Sequence, residues 1–173
     1  MQSGIISLMA VIIFFTTRAQ ANIIMDGGEI TFSGRIVSQP CVVAPDSEDI
    51  EVDMGSISRQ DLQQHGKGQT KNFTIRLLNC SVPTGQSVVV TFTGNEDSKL
   101  PGRLAVVGDA GGAAIRLLNQ DGSAIGINNP AQGISLQDDE NILNFGAYLE
   151  AQPATEVVAG NYSANANFLL RYP

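Results

Sequence analysis

The sequence has no tryptophan, a single histidine and two cysteines among 173 residues. Three Tyr and seven Phe are its only aromatics, so its core must be mainly aliphatic. The apolar share of 43% is enough to supply one. Lys and Arg number 10 against 17 Asp and Glu, a formal charge of −7. Nucleic acid and anionic membrane surfaces both require clustered cations, so neither is an expected partner. The acidity serves solubility. His65 sits in the polar stretch Gln63-Gln64-His65-Gly66-Lys67 with no nucleophile motif beside it. It therefore reads as a solvated surface side chain and not as the base of a Ser-His-Asp or Cys-His site. One imidazole and no CxxC spacing also argue against zinc or copper. No phosphate-cradling GxxxxGK[ST] occurs, and Gly108-Asp109-Ala110-Gly111-Gly112 reads as a turn. The acidic runs Asp46-Ser47-Glu48-Asp49 and Asp138-Asp139-Glu140 do not match a twelve-residue calcium loop, and they read as solvated loops. No catalytic residue, metal or cofactor is expected.

Gly4 to Phe15 is almost wholly apolar. It falls short of the ~20 residues a spanning helix needs. Ala19-Gln20-Ala21 then offers a small-x-small cleavage site. Residues 1–21 are therefore expected to be a secretory signal peptide, with Asn22 as the mature terminus. The usual positive n-region is missing from Met1-Gln2-Ser3. Export to an oxidising compartment makes a disulfide the default for Cys41 and Cys80, and two cysteines allow one connectivity. Closing that loop is worth about 4 kcal/mol on the chain-entropy model.

What the sequence does have is period-two alternation, with no sustained helical period. Ile30, Phe32, Gly34 and Ile36 share one face of an extended segment, with Thr31, Ser33 and Arg35 on the other. Ile50, Val52 and Met54 alternate with Asp49, Glu51 and Asp53, which predicts a half-buried strand with an acidic outer face. Phe73, Ile75 and Leu77 form another such face, and Val88, Val90 and Phe92 a third. Further strands are expected over 103–107, 113–119, 141–150 and 162–172. Breakers such as Val82-Pro83-Thr84-Gly85 and Asn119-Gln120-Asp121-Gly122 separate them. Short strands with Gly-rich turns predict an all-β sandwich. The polar stretch Ser58 to Gly68 reads equally as a short helix or a loop. Ala164, Ala166, Phe168, Leu170 and Tyr172 alternate to the last residue but one, which raises the question of what covers that apolar edge.

Several of these segments together resemble the type 1-like fimbrial subunits of chaperone–usher pili. Gly27-Gly28-Glu29-Ile30-Thr31-Phe32-Ser33-Gly34-Arg35-Ile36 is similar to the N-terminal extension of such pilins. Pro40-Cys41-Val42-Val43 and Leu77-Leu78-Asn79-Cys80 stand where the family has its cysteines, and Val52-Asp53-Met54-Gly55 resembles the intervening strand. Gly160, fourteenth from the end, and penultimate Tyr172 match the family's C-terminal signature.

The resemblance implies an incomplete immunoglobulin-like β-sandwich that is completed by a donated strand. It implies three regions: the signal peptide 1–21, a donor-strand extension 22–38 and a pilin domain 39–173. Ile30, Phe32, Gly34 and Ile36 would enter a neighbour's groove, where Gly34 allows close backbone approach. Gly160, Phe168, Leu170 and Tyr172 would line the acceptor groove and chaperone-binding edge. A periplasmic chaperone, an outer-membrane usher and neighbouring subunits in a head-to-tail polymer are the implied partners, and the cell-surface fimbrium the implied location. Two alternatives stay open at this level: a self-contained secreted lectin-like sandwich, and a terminator or regulatory subunit of the same kind of pilus. Few aromatics count against a sugar platform.

Overall fold

The computed structural model describes residues 29–34 and 40–173. The signal segment 1–21 and Ile36 lie outside the described residues. The chain divides into two compact units, Met1–Ile36 and Val37–Pro173.

In the larger unit, alternation becomes strand wherever at least one partner strand is on hand. β1 (Val42–Val43) leads through a short 3₁₀ turn (Pro45–Ser47) and a helix, α1 (Arg59–His65), to β2 (Lys71–Cys80) and β3 (Ser87–Gly94). Short strands β4 (Leu104–Ala105) and β5 (Val107–Gly108) precede β6 (Ala113–Asn119), β7 (Ala124–Ile125) and β8 (Ile134–Ser135). The long β9 (Asp139–Ala151), β10 (Tyr162–Ser163) and β11 (Ala166–Arg171) complete the chain. One sheet runs β1-β2-β9-β6-β4, with β7 on β6, and a second runs β11-β3-β8. β10 and β5 form a separate two-stranded ribbon, and all pairings are antiparallel.

The inward faces are the apolar sets read from the sequence. Ile75 and Leu77 of β2, Val88, Val90 and Phe92 of β3, and Leu143, Phe145, Ala147 and Leu149 of β9 are all buried. Phe145 stacks near Phe73 at 5.7 Å between ring centroids and meets Phe92 edge-on at 5.0 Å. Cys41 and Cys80 are disulfide-bonded, tying the entry of β1 to the end of β2.

Six expectations need correction or completion. The stretch 58–68 holds α1, because the Ser58 side chain caps its start and Gly66, left-handed at φ 73°, ends it. The strand expected over 103–107 is broken at Val106 into β4 and β5, which pair with different partners. The strand expected over 162–172 is likewise split at Ala164–Asn165, with β10 on β5 and β11 on β3. Asp139 and Glu140 are not in a loop but open β9, and Glu140 pairs with Arg76, which also holds Asp46. Residues 49–54 keep the predicted burial alternation yet join no ladder. Residues 29–34 carry no strand assignment either.

Candidate functional site

Why an alternating segment pairs with nothing is answered by what lies beside it. Ile50, Val52, Met54 and Ile57 turn inward and are half-buried, while Glu51, Asp53 and Gly55 are exposed. Among the described residues, no backbone hydrogen bond joins 49–57 to another segment; the Gly55 N–H donates to the nearby Asp53 carboxylate at 2.8 Å. Across from it, β11 is the end strand of its sheet and is paired only on its β3 side. Two free backbone edges thus flank one groove of about 1440 Å³. Residues 48–57 form one wall and 157–168 the other. Phe73, Ile75, Phe92, Ile115 and Leu149, from both sheets, form an apolar floor. A groove with an apolar floor and two rows of unmet N–H and C=O groups is what an extended peptide fills by strand addition.

The ends of the two walls are fixed. Arg59 Nη1 lies 3.2 Å from Glu156 Oε1, and the Val157 N–H donates to Gln63 Oε1 at 2.9 Å. Farther along, burial raises the Tyr162 phenol above its ordinary value and the nearby Asp53 carboxylate adds to the rise. Gly160 holds the second wall in place by close backbone approach. A Cβ there would stand 2.6 Å from the Ala110 nitrogen and 2.7 Å from the Asp109 carbonyl carbon.

Of the residues expected to form the acceptor edge, Gly160 and Phe168 line this groove. Leu170 of β11 and Tyr172, just past its end, pack half-buried against the core beyond the groove's lining. Burial also raises the Tyr172 phenol, whose oxygen is buried without a hydrogen-bond partner. In the smaller unit, Ile30 and Phe32 are 76% and 91% exposed, and nothing stands within 4 Å of a Cβ placed on Gly34. Ile36 lies outside the described residues. His65 is exposed at the end of α1, its Nδ1 3.0 Å from the Asp61 carbonyl oxygen. Sequence reasoning assigned 50–54 to an ordinary strand and missed it as the opposite wall. Its signal, apolar alternation backed by an acidic face, was present.

The model of the family described as fimbrial protein matches residues 30–173. The chain belongs to the fimbrial protein family. It is 35% identical to the Fimbria A protein of Serratia marcescens, over 95% of this chain and 96% of that one. The solved P pilus rod subunit PapA superposes with a TM-score of 0.71 at 27% identity, covering 78% of this chain and all of that one. A subunit from a solved chaperone–usher pilus gives 0.70 at 27% identity, covering 89% of this chain and 100% of the other. The fimbrial protein is therefore a structural pilin subunit, with the incomplete immunoglobulin-like sandwich of such subunits. It polymerises with neighbouring subunits into a surface fimbria.

Proposed function

We propose that this pilin polymerises by strand donation, with segment 22–38 of one subunit filling the groove between 48–57 and 157–168 of the next and running on along the Leu170–Tyr172 edge. Ile30, Phe32 and Ile36 supply the inward side chains, and Gly34 the point of close approach. The observation that carries the reading is the pair of free backbone edges facing each other over an apolar floor. Exposed Ile30 and Phe32 have nothing to gain from water, and each gains roughly 1.5–3 kcal/mol on burial. The contact is head-to-tail and does not close, so it extends a filament.

In this reading the signal peptide 1–21 sends the chain to the periplasm. A chaperone strand covers the groove there until the usher exchanges it, and Gly160, Phe168, Leu170 and Tyr172 form the edge the chaperone uses. The reading assigns no catalysis. A self-contained binding module would not leave both walls unpaired; a terminator folded on the same chaperone would carry the same opening, and only entry of a second subunit's strand separates it from a rod subunit.

The test is periplasmic production of the protein with and without a matching chaperone, followed by size-exclusion chromatography. Recovery as a one-to-one complex, with degradation or aggregation of the protein alone, is the expected result. A stable, monodisperse monomer without any partner overturns it.

A further inference from the structure

Oxidation has few places to act on this chain. Cys41 and Cys80 are joined to each other, and tryptophan is absent. Of the four methionines, Met1 and Met9 belong to segment 1–21, and Met25 belongs to the extension. All three lie outside the described residues. Met54 is the one methionine among the described residues, and it stands in the wall of the groove. Ile50, Val52 and Met54 alternate inward along that wall. The Asp53 carboxylate accepts the Gly55 N–H at 2.8 Å, a short link that spans Met54 and fixes the chain on either side of it. Met54 is half-buried and packs against the core, but among the described residues no backbone hydrogen bond ties 49–57 to another segment. The groove beside it, about 1440 Å³, is wide enough for a small solute to reach this wall.

We propose that Met54 is a site of reversible oxidation by hydrogen peroxide, and that its sulfoxide hinders strand entry. This rests on the strand-donation reading above. A lone pair on the Met54 sulfur attacks one peroxide oxygen. The S–O bond forms as the O–O bond breaks, and the departing hydroxide takes the remaining proton as water. Sulfur is oxidised by two electrons, and peroxide is reduced to water. The product is a polar group on a wall that is otherwise apolar on its inward face. Sealing a sulfoxide beneath an incoming strand strips it of water and supplies no hydrogen-bond donor in return, because the inward residues around it are apolar. The reaction has a window. An unfilled groove leaves Met54 open to peroxide, and an inserted strand covers it. Oxidation therefore acts on subunits still waiting for a strand and spares those already in the filament. Sulfoxide reductase chemistry reverses the change.

The experiment treats the full mature chain from Asn22 with hydrogen peroxide, as freshly refolded subunit and as polymer, and locates the added oxygen by peptide mass spectrometry. Met54 is expected to oxidise roughly tenfold faster in the subunit than in the polymer. Light scattering then follows assembly of the treated subunit, which is expected to run roughly tenfold slower than the untreated one. Methionine sulfoxide reductase should restore the rate. Met54→Leu, measured against its own untreated rate, is expected to lose this sensitivity to peroxide. A treated Met54→Leu chain slowed as much as the treated wild type puts the damage elsewhere, Met25 included, and overturns the inference. Equal oxidation of Met54 in subunit and polymer overturns it too, as does unslowed assembly of the oxidised chain. Each of these results leaves strand donation standing. A chain lacking residues 22–38 separates the two levels, because if it assembles like the wild type, strand donation itself fails and the inference falls with it.

Discussion

Phe73 of β2 and Phe92 of β3 meet edge-on with their ring centroids 5.9 Å apart, joining the two sheets directly beneath the groove. Phe92 is 4% exposed and also contacts Phe145, so its ring belongs to the core and to the groove floor together. Phe92→Ala is expected to cost about 3–5 kcal/mol. Urea unfolding of the protein with its groove filled by a strand peptide measures this directly. A loss below ~1 kcal/mol would mean that the floor is not a packed part of the core.

Gly160 separates packing from groove chemistry. Its added Cβ would meet backbone, which does not move aside as a flexible side chain does. Gly160→Ala is expected to destabilise by about 1–3 kcal/mol. Gly133→Ala is the control, because its Cβ would meet only ordinary contacts at 3.8 Å and 3.9 Å. Thermal melts of the two variants should differ clearly, and equal melting temperatures would refute the close-approach argument.

The disulfide joins residues 39 positions apart. Replacing both Cys41 and Cys80 by Ala is expected to lower stability by about 4 kcal/mol on the chain-entropy model. Guanidinium unfolding with and without reductant reads it. Unchanged midpoints would place the constraint elsewhere.

Tyr162 and Tyr172 give the pH dependence. Both phenols are held above their ordinary value by burial, with Asp53 adding to the shift at Tyr162. The folded state therefore keeps its protons to higher pH than the unfolded chain does. Their contribution is complete below the ordinary phenol value of ~10 and is lost as pH rises through the folded values. Ionisation followed at the tyrosinate absorbance band should lag in the native protein, and Tyr162→Phe and Tyr172→Phe should each remove part of the lag. Native and unfolded titrations that coincide would contradict it.

Much of this architecture was legible in the residues. Phe73, Ile75 and Leu77, and Val88, Val90 and Phe92, alternate as strands and face inward as expected, because each has a paired neighbour in the same chain. Ser58 and Gly66 carry capping chemistry, but α1 buries little beyond Leu62, so the apolar period that would announce a helix is weak. The split of 162–172 was not legible, because β10 leaves for β5 through a close approach at Gly108 and Gly160 that no local pattern records. The groove was half visible. The Phe168–Tyr172 face posed the question of a missing cover. Ile50, Val52 and Met54 gave the same signal as any internal strand, since alternation reports a buried face and not which chain buries it.

The most direct test of strand donation is amide hydrogen exchange, compared between unassembled subunit and polymer. Strand donation predicts that residues 49–57 and 166–171 gain protection together on assembly, since one inserted strand pairs with both edges. Unchanged exchange in both segments, with assembly intact, would show that subunits join through another surface and would contradict the account.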